Sequence, residues 1–160
     1  NGNFLVTWFI GLDPIIYAKY YTASNDEWSG ELEITGSIEI SNLASAGDGN
    51  GNYVIGWVED EGESVFASGL VLNDQSVTDI ARVGTNVVSN NGISLAAQVT
   101  ATDTNGLFFA AYKKSGEVEP EGGGVYANVL DTDSGIEWGG ETQVGEETAS
   151  HSMNTRMFLR

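Results

Sequence analysis

Cysteine is absent from the 160 residues. Disulfides, thiolate chemistry and Cys-based metal sites are therefore excluded. Histidine occurs once, at His151, outside any GxSxG context, and is read as a surface side chain. Basic residues are scarce: 6 against 23 acidic ones, a net charge of −17. Such a chain repels nucleic acid and anionic lipid instead of releasing their counterions, so neither is an expected partner. No apolar run approaches the roughly 18 residues of a membrane helix, so membrane insertion is not expected either. Phosphate-loop, zinc and dinucleotide fingerprints are all missing.

Glycine is plentiful, at 21 residues. Aromatic and β-branched residues gather in short runs broken by Gly, Asn, Asp and Ser, the pattern of many short strands joined by tight turns. The acidity reads either as a cation-binding surface or as solubility in salty, extracellular conditions.

The chain also repeats itself. GNFLVTW at 2–8, GNYVIGW at 51–57 and GLFFAAY at 106–112 align on Gly2, Gly51 and Gly106 and end on Trp8, Trp57 and Tyr112. An aromatic–Ala pair follows each: Tyr17–Ala18, Phe66–Ala67 and Tyr126–Ala127. The connections between them hold both prolines, Pro14 and Pro120. A third motif reads EWSGELEI at 27–34 and EWGGETQV at 137–144, with VTDIARV at 77–83 in the middle copy. Further strand-like runs stand at 37–45 and 93–101, ahead of the second and third copies, and a last one at 153–160.

Each unit thus offers four strands, A to D, over about 50 residues, which is the period of a β-propeller blade. The expected fold is all-β: antiparallel four-stranded blades, about three in this chain, closed by oligomerisation or by the remainder of a larger polypeptide. The units are placed at 1–36, 37–92 and 93–148, with 149–160 starting or completing a further blade. The B strands are apolar or small on both faces, as strands between two neighbouring sheets must be. A two-sheet β-sandwich is the competing fold, and it predicts no fixed period. The chain opens on Asn1 inside a motif, which points to a trimmed or partial polypeptide.

This cadence resembles the blade repeats of large bacterial secreted or surface-anchored proteins, which often carry hemolysin-type calcium-binding segments. The resemblance implies an extracellular, repetitive, non-catalytic propeller. AGDGNGNYVIG at 46–56 also resembles the integrin-type FG-GAP propeller repeat: Asp48, Asn50 and Asn52 have the alternate spacing of a calcium loop. Gly56 stands where that repeat wants a further acid, and a plain Asp/Asn/Gly hairpin turn explains the same letters. Asp131, Asp133 and Glu137 are a second candidate Ca²⁺ set.

Trp28 and Trp138, each beside acids and glycines, read either as sugar-stacking platforms or as packing residues. Acidic residues fall at both ends of the units, and no carboxylate pair recurs at a distinctive place. Arg82, Arg156 and Arg160 are too few for a sialidase-type site. The expected role is a non-catalytic extracellular scaffold or adhesion module presenting loops to a protein or glycan. The alternative is a carbohydrate-active propeller enzyme, a glycosidase or lyase.

Overall fold

The computed structural model describes residues 2–11, 15–35, 40–49, 51–60, 65–72, 80–87, 93–98, 107–114, 124–131 and 138–146. All regular structure among them is β-strand. Twelve strands form three sheets, each from strands consecutive in sequence and each wholly antiparallel. The first sheet holds β1 (Phe4–Phe9), β2 (Ile15–Thr22), β3 (Glu27–Trp28) and β4 (Leu32–Thr35). The second holds β5 (Ile40–Gly47), β6 (Tyr53–Asp60), β7 (Val65–Leu72) and β8 (Ala81–Thr85). The third holds β9 (Ile93–Gln98), β10 (Leu107–Lys114), β11 (Gly124–Asp131) and β12 (Thr142–Glu146). The run at 153–160 lies outside the described residues.

The three terminal aromatics of the B strands hold equivalent places. Trp8 lies opposite Tyr17, and Tyr112 opposite Tyr126. Trp57, however, lies opposite Ser68, not Phe66. The aromatic–Ala alignment of the middle copy is therefore two residues out. A slip of two preserves which face each side chain takes, so the pattern alone could not detect it.

Corrected in this way, the outer strands of the second and third sheets share an irregularity. Ala67↔Gly84 is followed by Ser68↔Arg82, which leaves Val83 unpaired on β8. Val125↔Gly145 is followed by Tyr126↔Gln143, which leaves Val144 unpaired on β12. The first sheet pairs regularly at this place, Ile16↔Ile34 and Tyr17↔Glu33, and its extra residue falls instead between the pairings of β3 and β4. Each bulge adds local twist to its sheet's outer edge.

The sheets stack face to face with the second in the middle. Ile55 and Trp57 point into a core with Ile16, Ala18 and Ile34 of the first sheet. Val58 packs with Val83, Ala110, Tyr112 and Tyr126, and Val54 with Phe108 and Leu130. The strand β6 is thus apolar on both faces because both are covered, and Trp57 is fully buried. The strand β5 also touches β1 on one side and β9 on the other. Among the described residues no strand pairing joins the third sheet back to the first, so the stack is open.

Candidate functional site

The first sheet has one covered face and one bare one. Leu5 and Phe9 turn toward Trp57 and its neighbours. Alternation puts Phe4, Val6 and Trp8 on the opposite face, with Tyr17, Lys19 and Tyr21 beside them on β2. Trp28 joins this face through its pairing with Tyr21. Phe4 stacks on Tyr21 with ring centroids 4.9 Å apart and meets Trp28 edge-on at 5.2 Å. Tyr21 and Trp28 lie 5.4 Å apart, and Trp8 stacks on Tyr17 at 5.7 Å. Trp28 is 53% exposed, Phe4 44% and Val6 42%.

A concavity of about 460 Å³ opens among Val6, Trp8, Lys19 and Trp28. Its walls are two indoles and an aliphatic side chain, with one ammonium at the margin. Such a surface accepts an apolar or aromatic layer, or the C–H face of a sugar. At its rim the Tyr21 hydroxyl donates to Asp26 Oδ1 at 2.7 Å, with Asp26 in a left-handed turn at φ 56°. That hydrogen bond to the carboxylate holds the Tyr21 phenol above its ordinary pKa.

Trp138 occupies the corresponding place on the third sheet in different company. It is half-buried, bridges to Leu130, and packs against both clusters between the second and third sheets. The structure therefore brings Trp138 into packing and leaves Trp28 bare.

At the β5–β6 turn Asp48 is fully buried. Its Oδ1 accepts from the Asn52 backbone N–H at 3.1 Å and its Oδ2 from Asn52 Nδ2 at 2.6 Å. The Asp48 N–H in turn donates to the Asn52 carbonyl at 3.1 Å. These bonds, with Gly49 and Gly51 at positive φ, close a self-contained hairpin turn. Both Asp48 oxygens accept hydrogen bonds from Asn52 within this turn. Asn50, Asp133, Glu137 and the side chain of Asp131 lie outside the described residues. Among the described residues no three His, Asp or Glu side chains gather as metal ligands. Beside this turn, burial first and the Asp48 charge second push the Tyr53 phenol above its usual pKa.

A polar seam missed by motif reading crosses from the second sheet to the third. Lys114, 1% exposed, pairs with Glu141 and sits 4.6 Å over the Tyr126 ring. Glu141 Oε1 also receives the Tyr112 hydroxyl at 2.7 Å and the Thr85 backbone N–H at 3.2 Å. Asn128 Nδ2 donates to the carbonyl of the bulged Val83 at 2.9 Å. The signal available in the sequence was the acid of EWGGE together with a lysine pair in a chain of only six basic residues.

No family model, curated protein or solved structure matches the chain.

Proposed function

We propose that this chain is a non-catalytic scaffold of β-propeller type, working outside the cell and presenting the turns at its sheet ends to a protein or glycan. The observation that carries this reading is the repetition of the sheet interface. In the second and third sheets the terminal aromatic of the B strand, Trp57 or Tyr112, is buried against the preceding sheet. Successive blades of a propeller meet in this way. Inner strands β5 and β9 lie side by side, as strands nearest a propeller axis do.

The chemistry agrees with a scaffold. The buried Lys114 ammonium pairs with Glu141 inside the third sheet, and Glu141 reaches the second sheet by accepting the Thr85 backbone N–H. The test is a glycan array run beside a reducing-end assay on a panel of polysaccharides, with amide-shift mapping of any ligand that binds. Binding without bond cleavage, mapped to the turns at 22–26 and 48–52, is the expected result. Release of new reducing ends would replace this reading with the carbohydrate-active enzyme.

A further inference from the structure

The bare face of the first sheet can be compared, position by position, with faces that are covered elsewhere in the same molecule. In register, Val6 corresponds to Ile55 and Ala110, Phe4 to Tyr53 and Phe108, and Trp8 to Trp57 and Tyr112. Apart from the half-buried Tyr53, these counterparts are fully buried, and all pack against the sheet that precedes them. Trp28 likewise corresponds to Trp138, which is packed. The outer face of the third sheet shows the converse. Its bulged Val144 is 61% exposed, whereas the bulged Val83 of the second sheet and the regularly paired Ile34 of the first are 2% and 5% exposed beneath the following sheet. Val129 on this face is exposed too.

We infer that the bare face of the first sheet is a docking surface for the outer face of the third sheet of a second copy of this chain, head to tail. The proposal rests on the stacked-sheet reading above and extends its two observed interfaces by one more. Polar groups match as well as apolar ones. Between the second and third sheets, Asn128 donates to the bulge carbonyl and Glu141 accepts from the N–H of Thr85, two residues beyond the bulged Val83. On the head face the same register positions hold Lys19, a donor, and Glu31, an acceptor. On the tail face the bulge is Val144, and Glu146 stands where Thr85 does.

The fit of the ring follows the same pattern. Tyr112 lies so close over Gly84 that a β-carbon there would fall 2.3 Å from its ring. Gly145, next to the bulge in the third sheet, leaves the equivalent space for the Trp8 indole of the second copy. Two copies satisfy both faces at once and give six stacked sheets, within the usual range of closed propellers.

The test is mass in solution by light scattering, near 100 μM protein and about 0.15 M salt to screen the repulsion between two chains of net charge −17. The wild type is expected at twice 17.0 kDa. Val6→Asp and Val144→Asp alter exposed side chains and should each give the single-copy mass with an unchanged far-UV spectrum. An equimolar mixture of the two variants retains one intact head and one intact tail. It should associate again, at least tenfold more weakly than the wild type.

A wild type of single-copy mass overturns the proposal. So does a Val144→Asp variant that still dimerises while Val6→Asp does not, since the contact is then head to head. If the wild type is monomeric and a glycan perturbs Trp28 fluorescence, the face is a sugar platform instead. Hydrogen exchange in β6 separates the two readings: protection retained in a monomer removes only the docking, whereas protection lost removes the stack itself.

Discussion

Trp57 carries more of the packing than any other single side chain, being the largest of the fully buried ones. Trp57→Ala should cost roughly 3–5 kcal/mol, measured by denaturant unfolding. Its indole N–H meets no acceptor among the described residues. Trp57→Phe therefore loses volume without losing a hydrogen bond, and should cost clearly less than the alanine variant. Tyr53 supplies a pH prediction. Its phenol pKa is raised in the folded state by burial and by Asp48. The folded chain holds that proton where the unfolded chain, with its ordinary pKa near 10, releases it. This contribution to stability is therefore complete below about pH 10 and disappears as pH rises through the folded pKa. Stability measured at about pH 9 and 11 should fall less in Tyr53→Phe than in the wild type.

Among the elements, the middle B strand, β6, matched its two-faced apolar pattern, with a sheet on either side, whereas β1 carries the same pattern with Phe4 and Val6 exposed on one face. The middle C strand was not legible in register, since sliding it by two residues preserves the alternation that the alignment relied on. The outer strands were half legible. EWSGE and EWGGE marked two of them, but the bulges at Val83 and Val144 arise from pairing and have no letter of their own. The seam between the second and third sheets depends on such a bulge. Glu141→Ala leaves the buried Lys114 ammonium without its carboxylate and should cost about 3 kcal/mol by chemical denaturation. Gly84→Ala places a methyl into the Tyr112 ring and should cost about 1–3 kcal/mol, with Tyr112→Ala in the same chain relieving part of the clash.

For the whole molecule, net charge and exposed apolar surface act in opposite directions. Each chain carries a net −17 and bares apolar side chains on both ends of its stack. Association through those ends should tighten as salt rises from about 0.02 to 0.5 M, because screening weakens the repulsion between like charges faster than it alters apolar burial. Sedimentation velocity across that range checks this. Contact dominated by ion pairs would show the opposite slope.

The amino-acid order alone determined that this chain is all-β, that its strands pair with their sequence neighbours, and that its middle B strand, β6, is covered on both faces. Alternation, turn residues and repetition are local properties, and each has a direct backbone consequence. Only the tertiary structure decided which of two similar tryptophans is packed and which is bare. Trp28 and Trp138 sit in nearly identical sequence, and they differ because a preceding sheet covers one and not the other. That difference is a property of neighbours in space, and no window of sequence around either residue contains it.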